Sequence, residues 1–173
     1  MRRSGRLRHM IVAIGTDHGG YALKERVVRA VAALGHEVHD CGARTLEPGD
    51  DFPDYAELVA QAIRSGRAER GILLCGSGVG ISVAASKFPG IRAAICHDVY
   101  SARQGVEDDA MNVLCLGGRV IGPELAAELV SVFLNAHFKA FERYERRLQK
   151  ITAIERTSRE SGTLERPARP SAS

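Results

Sequence analysis

The chain has 173 residues, 45% of them apolar and 5% aromatic, with a formal net charge of +3. That length predicts one domain, with apolar mass enough for a sizeable core. No apolar run reaches the roughly 18 residues needed to span a bilayer. The aromatic interleaving of a single-strand nucleic-acid binder is also absent, so neither a membrane nor a nucleic acid is an expected partner.

Residues 1–9 carry Arg2, Arg3, Arg6 and Arg8, no acid, and none of the apolar stretch of a signal peptide. They read as a basic extension. Residues 10–15 then form a first buried strand, followed by a loop at Thr16-Asp17-His18-Gly19-Gly20. Residues 21–34 repeat apolar side chains at helical spacing and stop at Gly35, a residue suited to end a helix. Residues 37–41 are a second strand, and 42–51 a polar surface loop with Pro48 and Gly49. A helix with Asp54 near its start runs to Ser65-Gly66.

The third strand, with Ile72, Leu73 and Leu74 at its centre, ends at Cys75 and breaks into Gly76-Ser77-Gly78-Val79-Gly80. An Ala-rich helix is expected over 81–87. Strand, glycine loop and helix make a recurrent anion site, because N–H groups of a tight turn converge on one point. A thiol and a hydroxyl beside those donors point to chemistry on an oxyanion-forming group. Known signatures narrow it. The dinucleotide fingerprint needs a third glycine where Ile81 stands, and the Walker loop has no match. A cysteine phosphatase loop needs a closing Arg, and residues 76–82 contain none.

Residues 91–96 are a fourth strand. His97 and Asp98 open a helix expected to stop near Gly105. Residues 113–116 are a fifth strand, leading into Gly117-Gly118-Arg119. Pro123 starts a helix that runs to about residue 136. A last, charge-rich helix is expected over 139–156. Residues 157–173, with Ser, Gly and Pro and little apolar content, read as a disordered tail. The domain proper is therefore 10–156.

Cys41, Cys75, Cys96 and Cys115 each lie in or at the end of an apolar run, with no C-x-x-C pair. Zinc-ribbon spacing is thereby excluded, and reduced thiols in a cytoplasm are the simplest reading.

Alternation of strands and helices predicts an α/β domain, a single doubly wound five-stranded parallel sheet with helices on both faces. Ligands of such folds bind beyond the carboxyl ends of the strands. The residues gathered there are Asp17 and His18, then Cys75 to Gly80, then His97 and Asp98, then Gly117 to Arg119.

These segments resemble the ribose-5-phosphate isomerase B / galactose-6-phosphate isomerase family. The matching stretches are G-T-D-H-G-G-Y-A-L-K (15–24), D-F-P-D-Y-A (51–56), G-I-L-L-C-G-S-G-V-G-I-S-V-A-A-S-K-F-P-G-I-R-A-A (71–94), N-V-L-C-L-G-G-R-V-I-G (112–122) and R-R-L-Q-K-I (146–151). They run in order across most of the chain.

The resemblance implies aldose–ketose isomerisation of a sugar phosphate through an enediolate, with no metal and no cofactor. It implies that Cys75 moves the proton between C1 and C2 and that Ser77 relays protons at the oxygens. The N–H groups of Gly76, Gly78, Val79 and Gly80 would hold the enediolate. Asp17, His18, His97 and Asp109 would contact substrate, and Arg119, Arg143 and Arg147 would hold phosphate, the last two from a partner subunit. It also implies a homodimer or homotetramer with a shared active site.

Blander readings stand beside these. Asp17, His97 and Asp98 all suit helix caps, and Arg143 and Arg147 suit a solvated helix face. A non-catalytic sugar-phosphate sensor needs phosphate contacts but no base, so Cys75 and Ser77 weigh against it.

The sequence departs from the family at two places. Asp108 stands where members acting on cyclic sugars carry a ring-opening His, and Tyr144 stands where a His often follows the first phosphate Arg. Asp108 is then expected to serve as the ring-opening acid or base, with His97 as the other candidate. Alternatively the substrate stays open-chain, as a tetrose or tetrulose phosphate does, or is a hexose phosphate. Ribose 5-phosphate is the leading expectation.

Overall fold

The computed structural model describes residues 9–161. Residues 1–8 of the basic extension, and 162–173 of the expected tail, lie outside them. Two compact units divide the chain, one reaching Lys139 and one starting at Ala140.

The first unit holds five strands, β1 (Ile11–Thr16), β2 (Glu37–Asp40), β3 (Arg70–Cys75), β4 (Ala93–Ile95) and β5 (Val113–Gly117). Between and after them come α1 (Tyr21–Ala33), α2 (Phe52–Arg64), α3 (Val79–Ala85), α4 (Val99–Asp109) and α5 (Pro123–Asn135). All strand pairs are parallel, in the order β2-β1-β3-β5-β4.

Strand side chains alternate between two cores, as a period of two requires. Val12, Ile14, Ile72, Leu74, Leu114 and Leu116 pack with α1, α4 and α5. Ala13, Leu73, Cys75, Val113 and Cys115 pack with α2 and α3 on the other face. Burial on both faces is why these strands read as unbroken apolar runs. Leu73, Leu74 and Phe133 are fully buried, each stabilising the fold by about 1.5–3 kcal/mol. The expected doubly wound fold is the one observed.

Chain reversal sets the site. From β1 the chain crosses one face through α1 to β2 on one side. It then returns over the other face through α2 to β3 on the other side. A crevice opens between the carboxyl ends of β1 and β3, the place where doubly wound folds bind ligands. Thr16 pairs with Leu74, and Asp17 donates its N–H to the Leu74 carbonyl at 3.3 Å, so the two loops start side by side.

Several element boundaries differ from expectation. Helix α3 starts at Val79, two residues early, because Gly78 ends the loop in the left-handed conformation (φ +82°). Helix α4 does not stop at Gly105 but runs to Asp109. Gly105 is an interior position against Met111, whose sulfur would lie 3.2 Å from an added Cβ. The small residue there makes room and does not end the helix.

The second unit contains α6 (Glu142–Ser161). It begins three residues later than expected and extends through 157–161, which the sequence reads as tail. Phe141 and Tyr144 pair their rings at 5.7 Å, and the Arg143 guanidinium lies 4.5 Å over the Tyr144 ring. Among the described residues no helix is long and apolar enough to cross a membrane.

Candidate active site

The crevice holds a cleft of about 360 Å³ whose lining includes Asp17, His18, Phe52, Cys75, Ser77 and Arg119. Cys75 is the last residue of β3, and only 5% of its surface is exposed. Its sulfur accepts the Gly78 N–H at 3.1 Å.

The glycine loop is more selective than its sequence implies. The Gly78 N–H is taken up by Cys75, and the Val79 N–H by the Ser77 hydroxyl at 3.2 Å. Those two groups were expected to hold an oxyanion, and here they brace the loop. The N–H groups of Gly76, Ser77 and Gly80 have no acceptor among the described residues, and all three residues line the cleft. Helix α3 has only seven residues, so its dipole is short and the loop amides are the principal anion donors. Gly80 leaves room for Phe52, whose ring would lie 2.8 Å from an added Cβ.

Arg119 follows β5. Its N–H donates to the Gly76 carbonyl at 2.9 Å, and its exposed side chain passes within 4 Å of an added Gly76 Cβ. The neighbouring Gly118 N–H donates to the Cys75 carbonyl at 2.8 Å. These bonds tie the cation-bearing turn to the thiol-bearing one.

Asp17 is 5% exposed, and its Oδ1 accepts the Gly20 N–H at 3.0 Å, closing the turn before α1. Asp17 thus lines the cleft and braces this turn, but it is not the helix cap that the sequence allows, because Gly20 takes the N-cap position of α1. His18 is held by Asp50, whose Oδ1 lies 2.6 Å from the ring Nδ1 and 3.0 Å from the His18 backbone nitrogen. Asp50 Oδ2 accepts the Tyr55 hydroxyl at 2.9 Å. Burial pushes the Asp50 carboxyl up. The His18 N–H, its ring and the Tyr55 hydroxyl outweigh that and leave it below the usual carboxylate range. Tyr55 is pushed up to about 12 by burial and by Asp50. Asp17, His18 and Asp50 place one ligand atom each within 4.8 Å of one another, yet His18 Nδ1 is already committed to Asp50.

Asp50 is the residue that sequence reasoning missed. It lay in a stretch read as a plain surface loop, and its partner is 32 positions away. Its place just ahead of D-F-P-D-Y-A was the available signal.

Other expected residues lie elsewhere. His97 Nε2 accepts the Gly117 N–H at 3.0 Å, so this ring fixes the end of β5 and is not part of the cleft lining. Asp98 caps α4, accepting the Ser101 N–H at 2.7 Å. Asp108 and Asp109 end α4 and are bound by Gln104 Nε2 at 3.1 and 3.4 Å. They precede the amino end of β5, where Val113 pairs with Gly71, whereas Cys75 pairs with Gly117 at the carboxyl end. A strand rise of about 3.3 Å per residue puts those two edges roughly 13 Å apart. One chain therefore does not bring Asp108 or Asp109 to its own Cys75. Arg143 and Arg147 are exposed, one turn apart on α6.

Comparison with known proteins adds to this geometry. A family model described as Ribose/Galactose Isomerase matches residues 12–151. Ribose-5-phosphate isomerase B of Escherichia coli (strain K12) is 44% identical over 144 residues, 83% of this chain and 95% of that protein. D-erythrulose-4-phosphate isomerase of Pectobacterium atrosepticum is 41% identical over 128 residues, 74% of this chain and 84% of that protein. The solved structure of Clostridium thermocellum ribose-5-phosphate isomerase B superposes with a TM-score of 0.82 at 44% identity, covering 86% of this chain and 99% of that one.

Proposed function

The chain belongs to the ribose/galactose isomerase family, and from that premise we propose that it interconverts ribose 5-phosphate and ribulose 5-phosphate through an enediolate. The observation that carries this reading is Cys75 at the floor of a cleft rimmed by the free amides of Gly76, Ser77 and Gly80.

The chemistry runs as a proton transfer within the substrate. Cys75, as thiolate, takes the proton from C2 of the open-chain aldose, and the electron pair moves to oxygen as the C1=C2 bond forms. The loop amides stabilise that oxygen; one such donor contributes on the order of 3 kcal/mol to a transition state of this kind. The thiol then returns the proton to C1, while the Ser77 hydroxyl carries the other proton between O2 and O1. No external reductant or oxidant enters the balance, and the reading requires no metal or cofactor.

Arg119 is assigned to the phosphate, as an exposed guanidinium beside the loop. Arg143 and Arg147 are assigned to the phosphate bound by a partner chain. Asp108 and Asp109, expected at the sugar, reach a Cys75 site only from a second copy. The working unit is then a homodimer or homotetramer with shared sites, in the cytoplasm.

A second substrate has its own support. Asp108 replaces the expected ring-opening His, and a relative at 41% identity is named for a four-carbon phosphate. A tetrose 4-phosphate cannot form a furanose and needs no ring-opening group. Assaying the purified chain on tetrose, pentose and hexose phosphates separates these substrates. Turnover fastest with ribose 5-phosphate supports the first, and none with any of them overturns the isomerase reading.

A further inference from the structure

The proton transfer at carbon leaves one polar chain beside the thiol without a role. Asp50 receives three hydrogen bonds, from the His18 N–H, the His18 ring and the Tyr55 hydroxyl. Its side chain is 11% exposed, whereas that of His18 is 32% exposed and lines the cleft. An ionised carboxylate only accepts, so the proton of a neutral His18 ring sits on Nδ1, facing Asp50. Nε2 is then the acceptor, as when a buried carboxylate orients a catalytic imidazole. Tyr55 and the His18 backbone fix the carboxylate itself.

Competing groups within one chain are already engaged. His97 Nε2 accepts from Gly117, and Asp17 Oδ1 accepts from Gly20. Asp108 belongs to the opposite edge of the sheet. An ordinary carboxylate is also a weak base at neutral pH, where an imidazole both takes and returns a proton readily.

We infer that His18, oriented by Asp50, opens the sugar ring in this chain, filling the role that the His-to-Asp departure at position 108 leaves vacant. The step rests on the isomerase reading above. Nε2 takes the proton of the anomeric hydroxyl, C1=O forms, and the bond from C1 to the ring oxygen breaks. The imidazolium then gives that proton to the ring oxygen, so nothing is gained or lost. His18 is the catalytic residue, Asp50 its positioning residue.

Two variants of the full chain, His18→Ala and Asp50→Asn, test this on ribose 5-phosphate and on erythrose 4-phosphate, which forms no furanose. General damage to the cleft lowers both activities alike. The expected result is that kcat/KM falls at least tenfold more for ribose 5-phosphate than for erythrose 4-phosphate in each variant. Free imidazole is expected to restore part of the ribose 5-phosphate turnover of His18→Ala. Equal losses on the two substrates overturn the assignment. So does a wild-type protein that turns over only erythrose 4-phosphate, although the isomerase reading then stands. A wild-type protein inactive on both sinks the two together.

Discussion

Gly78 donates its backbone N–H to the sulfur of Cys75 at 3.1 Å, across the turn that joins β3 to α3. Gly78 makes this bond in the left-handed conformation, at φ +82°, which costs L-residues roughly 1–2 kcal/mol. The glycine therefore serves the thiol first. It locks the sulfur at the cleft floor and leaves the flanking amides of Ser77 and Gly80 for substrate.

Cys75→Ala is expected to remove isomerisation while leaving the fold intact. Retention of more than about a tenth of kcat, a barrier change of only ~1.4 kcal/mol, would show that another group is the base. Iodoacetamide gives an independent check. Cys41 is half-buried, and burial and then Asp40 push its thiol up. Burial pushes Cys96 up to about 11 and Cys115 well above the ordinary thiol range. Cys75 should label fastest, with protection by bound sugar phosphate. Faster labelling of Cys41 contradicts this order.

Arg119→Ala, Arg143→Ala and Arg147→Ala are each expected to raise KM more than they lower kcat. The phosphate is remote from the reacting carbons and is held alike in ground and transition states. Some loss of kcat is consistent, because remote binding also positions the substrate. Unchanged KM in both α6 variants would return that helix to a solvated face.

Mixing Cys75→Ala protein with Arg147→Ala protein tests whether sites span two chains. Each mixed dimer then rebuilds one intact site, so activity recovers to at most about a quarter of wild type in a random mixture. No recovery after subunit exchange, shown by mass analysis of the mixed dimer, would place all site residues in one chain.

His36 gives a pH prediction for stability. It is 6% exposed, and neither ring nitrogen has a hydrogen-bond partner among the described residues. Burial, with His9 and Arg70 adding to it and Glu69 opposing, holds its pKa below the ordinary histidine value. The unfolded chain thus binds a proton at this residue before the folded one does. Stability should fall as pH drops below about 6.5. Thermal melts of His36→Leu should lose less between pH 7 and pH 5 than wild type. An equal loss would remove His36 from the account.

Much of this site was legible because strand ends announce themselves. Cys75, Ser77, Asp17, His18 and Arg119 each follow an apolar run at a glycine-rich turn, and the sheet brings those turns together. Asp50 was harder to read, since its place just ahead of D-F-P-D-Y-A does not tie a loop carboxylate to a histidine 32 residues earlier. The position of Asp108 relative to its own Cys75 was not legible for a different reason. Gly105 read as a helix stop, but contact with Met111 makes it an interior residue, so α4 carries Asp108 to the far edge of the sheet. His97 was a fair candidate from its strand-end position, and only the Gly117 N–H on its Nε2 assigns it to the backbone.

The most direct test of the central claim is solvent-deuterium exchange at C2 of ribose 5-phosphate, followed by proton NMR. Wild-type protein should exchange that hydrogen during turnover, and Cys75→Ala should not if the thiol is the group that removes it. Exchange or turnover that persists in Cys75→Ala would contradict an enediolate formed by Cys75.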